Sequence, residues 1–283
     1  MARPAPILRR AVLTAALLVG SAILATAIPR AAQSAEPEKL IHSKTLDNGL
    51  TVIAIPDPAL PIVTTELAVR HGAFAESAEF DGLAHLYEHM FFKGNSLVPD
   101  QSAYLRRLEK LGIVFNGSTA SERVNYFYTM PASNVDRGLE LLRASTLSPK
   151  FDRQQFEKEK KIVLSEYDRA ESRPTHSFRR TLKRKLWYEY PSRKLALGTR
   201  KTIADATIEQ MRTIKDRYYV PNNCALLISG DIQPDRAFEL AKKHFGDWKK
   251  APNPFESHPI PEHPPLKQTK YVVSYDDVQV PRI

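Results

Sequence analysis

The amino-acid sequence predicts an α+β fold, a mixed or antiparallel sheet flanked by helices. Short runs alternate apolar and polar residues, as in "NGSTASERVNYFYTMP" at 116–131, which reads as an antiparallel strand pair. Longer runs repeat apolar residues at helical spacing between capping residues. The two kinds come in mixed order, without the regular strand–helix alternation of a parallel sheet.

The first 35 residues stand apart. "MARPAPILRR" is a basic start carrying Arg3, Arg9 and Arg10, and "AVLTAALLVGSAILATA" is apolar and rich in small residues. Ala-Thr-Ala at 25–27 and Gln-Ser-Ala at 33–35 suit signal peptidase. Residues 1–35 therefore read as a cleaved signal peptide, the run being short and alanine-rich for a membrane span. No later segment is long and apolar enough to cross a bilayer. The expected protein is exported, to the periplasm or the exterior.

"KTLDNGLTVIAIPD" reads as strand, Asn-Gly turn and strand, and "PIVTTELAVRHGAF" as a further strand. A helix follows in "GLAHLYEHMFFKG". "PDQSAYLRRLEKLG" is a second helix, with Asp100 as N-cap and Gly112 just past its end. After the alternating pair, "ASNVDRGLELLRASTLSP" is a helix that stops before Pro149. Asp152 caps a long helix over 152–170. Further helices read at 174–188, 207–218 and 234–245, the last two flanking a strand at 224–229. "APNPFESHPIPEHPP" is an extended Pro-rich linker, and "KYVVSYDDVQVPRI" opens a new strand pattern. The expected division is a folded domain over 36–250 and, over 251–283, the linker with the start of a second, truncated half.

The 283 residues are 42% hydrophobic and 26% charged, a globular composition. The leader's four arginines, Arg3, Arg9, Arg10 and Arg30, reduce the formal net charge from +9 to +5 in the mature chain. The densest basic run, "RRTLKRK" at 179–185, has no interleaved aromatics and reads as a solvated helix face, so no nucleic-acid partner is expected. Cys224, the single cysteine, lies in an apolar run and reads as a small core residue.

The informative stretch is "HLYEH" at 85–89. At about 100° per residue, His85 and His89 lie one helical turn apart with Glu88 beside both. The rest of the circumference is apolar: Leu83, Ala84, Leu86, Tyr87, Met90, Phe91 and Phe92. A helix apolar all round is buried, and buried imidazole and carboxylate groups cost several kcal/mol unless partnered. A lone histidine would be read as a core residue bonded to a backbone carbonyl. His-x-x-Glu-His is instead the zinc signature of the inverzincins.

A catalytic zinc takes three protein ligands and keeps a fourth position open. The helix at 152–170 offers candidates. Phe156, Val163 and Tyr167 form its apolar stripe, flanked by Ile162, and Glu159 and Glu166 lie on the same side. Glu157, Lys158, Lys161, Ser165 and Asp168 point outward. On the residues alone, Glu159 and Glu166 are metal-site acids or members of ordinary ion pairs.

The spacing His85-x-x-Glu88-His89, then 76 residues, then Glu166 resembles the pitrilysin family of zinc peptidases, which includes insulysin and the mitochondrial processing peptidase. The resemblance runs from about residue 40 to 283. "GLAHLYEHMFFKG" is its most specific motif. "LGIVFNGSTASERVNYFYTMP" resembles the family's active-site strand, with Asn116-Gly117 where Asn-Ala is usual. "EKEKKIVLSE" resembles the segment giving the third ligand, and "YYVPNNCALLISGDI" the closing helix-to-strand segment. The resemblance implies an α/β roll, the family's catalytic half, over 36–250. It implies a zinc ion held by His85, His89 and Glu166, with Glu88 as general base. Glu159 would orient a ligand histidine, and Asn116 would contact the substrate backbone. His42, His71, His176 and His244 are expected to be structural or solvated, and His258 and His263 solvated in the linker.

The expected activity is zinc-dependent endopeptidase cleavage of peptides or unfolded segments, Glu88 activating a water at the metal. Substrate would add as a strand to an exposed sheet edge. The resemblance also implies two homologous halves closing as a clamshell, of which this chain carries the zinc-bearing one. The expected partner is thus a homologous second half, or a homo- or hetero-oligomer. Two rivals are a zinc-binding half acting only as a scaffold or peptide-binding subunit, and a zinc amidase acting on cell-wall peptides. Retention of Glu88 argues against the first, the match along the whole chain against the second.

Overall fold

The computed structural model describes residues 40–187 and 194–260. The signal segment, His263 and the strand pattern expected near the end lie outside the described residues.

Asn48 and Gly49 turn the chain between β1 (His42–Thr45) and β2 (Thr51–Pro56), which pair antiparallel. Gly49 takes φ 90°, open to a residue without Cβ. Asn48 Oδ1 accepts from the Leu50 amide at 3.1 Å, while its Nδ2 donates to the Phe245 carbonyl at 2.7 Å. The hairpin is thereby tied to a segment nearly two hundred residues away.

After β3 (Ile62–Val69) come α1 (Leu83–Phe91) and α2 (Gln101–Lys110), then the antiparallel pair β4 (Val114–Thr119) and β5 (Val124–Pro131). α3 (Val135–Leu147), α4 (Arg153–Glu171), α5 (Pro174–Leu186), α6 (Arg200–Ala204) and α7 (Ile208–Tyr218) lead to β6 (Cys224–Gly230). α8 (Pro234–Phe245) and α9 (Pro254–Ser257) follow. Asp100 and Asp152 cap α2 and α4 as their positions predict, accepting from the amides of Ala103 at 2.7 Å and Gln155 at 3.0 Å.

Among the described residues the strands form one six-stranded sheet in the order β1-β2-β6-β3-β5-β4. β2 and β6 run parallel and the other neighbours antiparallel, so the sheet is mixed. β4 is an edge strand, and α1 lies against it and β5. Alternate residues of the central strands, among them Leu67, Val69, Tyr126, Leu226 and Ile228, are fully or almost fully buried. Leu83, Leu86, Tyr87, Met90 and Phe91 of α1 pack on them, and Phe91 stacks on Tyr126 with ring centroids 3.6 Å apart. Each such side chain contributes about 1.5–3 kcal/mol on leaving water, which fixes the azimuth of α1. The Tyr126 and Tyr219 hydroxyls bond each other at 2.5 Å, so this apolar core leaves neither phenol unpaired.

Two local expectations change. Ile162 is exposed, whereas Phe156, Val163 and Tyr167 are buried; one residue off the stripe's centre turns its side chain past the packed face. The Pro-rich segment is not extended throughout. Asn253 caps the single helical turn α9, and Phe255 packs beside Tyr218 and under the Arg70 guanidinium, 4.6 Å from its ring centroid. Among the described residues no helix is long and apolar enough to cross a membrane.

Candidate metal centre

α1 begins where a buried acid waits for it. Its N-cap, Gly82, has no side chain and sits at φ 85°. Glu76, 5% exposed, supplies the cap from upstream, accepting from the Gly82 amide at 3.0 Å and the Ala84 amide at 2.7 Å. Lys194 Nζ lies 3.6 Å from the same carboxylate. The start of the helix is thus set immediately before His85.

With Leu83, Leu86, Tyr87, Met90 and Phe91 turned into the core, His85, Glu88 and His89 are left on a half-buried face. α4 crosses this face. Its apolar stripe is buried, which presents Glu159, 1% exposed, and the more open Glu166 to α1. Nε2 of His85 lies 3.7 Å, and Nε2 of His89 3.8 Å, from Oε2 of Glu166. One ligand atom from each of the three lies within 4.8 Å of the others. Donors around a tetrahedral zinc stand about 3.4 Å apart, given metal–ligand bonds of about 2.1 Å. The two imidazoles and one carboxylate therefore fit a zinc ion in chemistry and in spacing.

The electrostatics favour the ligand form of the imidazole. Burial, and then the neighbouring His89, hold the His85 imidazole down at about 4, so it is neutral at pH 7. Nδ1 of His89 donates to Oε2 of Glu159 at 3.0 Å, leaving its Nε2 for a metal. The second Glu159 oxygen meets Lys93 Nζ at 2.8 Å. Burial alone would raise the Glu159 carboxyl, but the hydrogen bonds from His89 and Lys93 outweigh it and hold the carboxyl below its usual range.

Glu88 is not among the three donors. Its carboxyl is pushed up by burial, against the opposing effects of the Thr119 hydroxyl and His89. It lines a cleft of about 520 Å³ with the three donors, Lys93 and Asn116. Asn116, on edge strand β4, is exposed and holds its Oδ1 2.9 Å from the Gly117 amide. His42, His71, His176, His244 and His258 lie outside the cluster. His71 is buried and stacked on Tyr218, and His244 bonds Asp136 at 2.6 Å.

All the residues singled out from the sequence at this site converge. Three others appear only in the structure: Glu76, Lys93 and Thr119. Lys93 stands four residues after His89 in "EHMFFKG", and this spacing was the one signal that could have found it. Glu76 and Thr119 act across loop and strand separations that no local pattern encodes.

Residues 51–200 match the profile of the insulinase family (peptidase family M16), and residues 205–283 that of the peptidase M16 inactive domain. The zinc protease PqqE of Helicobacter pylori is 27% identical over 225 residues, 77% of this chain and 50% of that protein. Among solved structures, a protease from Helicobacter pylori gives a TM-score of 0.67 at 25% identity, covering 78% of this chain and 52% of that one. The first half of the periplasmic protease PqqL from Escherichia coli gives a TM-score of 0.69 at 22% identity, covering 75% and 47%, a likeness of fold. The chain spans about half the length of the curated relatives it matches.

Proposed function

Because the chain belongs to the insulinase family of peptidases, family M16, we propose that it is the zinc-bearing half of a metalloendopeptidase that cleaves peptides or unfolded segments. The observation that carries this is the meeting of three donor atoms within 4.8 Å beside a carboxylate, Glu88, that is not one of them. A metal-storage site would need no such base.

In this reading His85, His89 and Glu166 hold the ion. Zinc, when bound, supplies Lewis acidity towards the scissile carbonyl and the attacking water. Glu88 takes the proton of that water and delivers it to the leaving amine. Its burial favours the first transfer by raising its proton affinity. Glu159 fixes the His89 tautomer and ring plane. The edge that β4 forms among the described residues runs beside the cleft, where an extended peptide adds as a further strand and pairs through its backbone. Such pairing reads few side chains, which suits unfolded segments. Asn116, exposed on that edge, contacts the substrate backbone.

The catalytic domain occupies 36–250, preceded by an export signal at 1–35, and the site of action is the periplasm or the exterior. The relatives' double length supports a homologous second half that closes over the cleft and positions substrate. Positioning of this kind accounts for several kcal/mol of a barrier. The test offers the mature chain, shown monomeric by light scattering, an unstructured peptide library with zinc, alone and with candidate second halves. The expected result is slow cleavage alone and chelator-sensitive cleavage in the assembly. Efficient cleavage by the monomer would remove the second half from the account. Absence of cleavage in every assembly would leave a scaffold.

A further inference from the structure

Glu88 does not hold its place unaided. Its Oε2 accepts a hydrogen bond from the Thr119 hydroxyl at 2.5 Å. Thr119 is the last residue of β4, paired with Val124 of β5, so its position is fixed by the sheet. Along β4, Phe115, Gly117 and Thr119 are half-buried, while Val114, Asn116 and Ser118 are exposed. The half-buried row meets α1: Phe115 packs on Phe92 with ring centroids 4.9 Å apart, and Gly117 and Thr119 meet Glu88.

The contact at Gly117 is a second, independent observation. A Cβ built there would stand 2.8 Å from Glu88 Cγ, 3.1 Å from its Oε1 and 3.2 Å from its Cδ. Gly117 is not among the glycines with positive φ, so the backbone does not demand a glycine. What is used is its lack of a side chain. A methyl group there would fill the space that Glu88 occupies here. The obstruction falls on a flexible side chain rather than on backbone, so an alanine would move Glu88 and leave the sheet in place.

We propose that Thr119 is a positioning residue for Glu88, and that the bare Cα of Gly117 opens the place in which Thr119 holds it. The proposal rests on the reading of Glu88 as the base. A glutamate side chain left free samples many rotamers, and a misplacement of about 1 Å at a reacting group costs on the order of 10²-fold in rate. The Thr119 hydroxyl selects one arrangement and leaves the other carboxylate oxygen unengaged by it. The strand that carries Thr119 is also the sheet edge beside the cleft, so substrate and base share one frame of reference.

Thr119→Val removes the donor at nearly constant shape, Thr119→Ser keeps it, and Gly117→Ala displaces the acceptor. In the assembly that hydrolyses an unstructured fluorogenic peptide, Thr119→Val is expected to lower kcat about 10-fold or more. KM and zinc stoichiometry stay unchanged, and Thr119→Ser restores most of the rate. Gly117→Ala lowers kcat similarly, and the double variant Gly117→Ala/Thr119→Val is no worse than either single one, because both break one hydrogen bond. Full kcat in Thr119→Val, or additive losses in the double variant, would overturn the proposal. Crystal structures of the zinc-loaded mature chain give a readout free of activity. Glu88 is expected within hydrogen-bond distance of Thr119 in the wild type and away from it in Gly117→Ala. A wild-type Glu88 turned away from Thr119 refutes the proposal whatever the kinetics. A chain that keeps the contact yet cleaves nothing in any assembly refutes Glu88 as a base, and with it Thr119 as a positioning residue for catalysis.

Discussion

Glu159 and Glu166 engage opposite sides of one imidazole: Glu159 accepts from Nδ1 of His89 at 3.0 Å, and Glu166 faces its Nε2 at 3.8 Å. The two acids sit seven residues apart on α4, about two helical turns, so one buried helix face delivers both.

Glu159→Gln is expected to weaken zinc binding by about 10- to 100-fold without abolishing it, as loss of a ligand's orienting partner does. Competition with a chromogenic chelator measures this. Wild-type affinity in Glu159→Gln would reduce Glu159 to a structural acid.

Lys93 makes a different prediction at the same carboxylate. Glu159 is 1% exposed, so Lys93→Met takes the charged partner from a buried carboxylate and leaves it the His89 hydrogen bond. A loss of about 3–5 kcal/mol is expected in urea unfolding of the metal-free chain. The double variant Lys93→Met/Glu159→Gln should regain part of it, since no charge is then left unpaired. A double variant less stable than Lys93→Met contradicts the pairing.

Glu88→Gln is expected to keep the fold and the zinc and to lose about 10²-fold or more of the hydrolysis seen in the active assembly. Only the proton acceptor changes. Substantial turnover by Glu88→Gln would rule it out as the base.

His71 supplies a pH dependence remote from catalysis. It is buried, stacked on Tyr218 with ring centroids 4.0 Å apart, and burial followed by Arg217 holds its imidazole down at about 3. An unfolded chain's histidine titrates near 6.5. The folded pKa is the lower one, so its contribution is fully present above pH 6.5 and is lost as pH falls towards 3. Between pH 6.5 and 4.5 the loss is about 2–3 kcal/mol. The urea midpoint of the wild type should therefore fall more steeply over that range than that of His71→Phe, which keeps the stack. Parallel curves would contradict it.

Much of this was legible in the sequence because it is local. Asp100 and Asp152 announce the helices they cap, Asn48-Gly49 the first hairpin, and His85, Glu88 and His89 share a face by helical geometry alone. Glu159 and Glu166 stood out as acids on an apolar side, but the residues alone did not say whether metal or lysine would meet them. The structure gives Glu159 both His89 and Lys93. Glu76 and Thr119 were not legible. Glu76 caps a helix from outside it, across the single 3-10 turn Ala78–Phe80, and Thr119 reaches Glu88 only because β4 lies under α1. The short helix at Pro254–Ser257 was hidden by its prolines, of which Pro254 sits at the first helical turn, where a proline costs nothing.

The most direct measurement is zinc content after dialysis of the purified mature chain and two variants against buffered zinc. The account predicts one tightly held zinc per wild-type chain, and loss of that ion in both His89→Ala and Glu166→Ala with the fold retained by circular dichroism. Stoichiometric zinc in both variants would contradict the centre built from His85, His89 and Glu166.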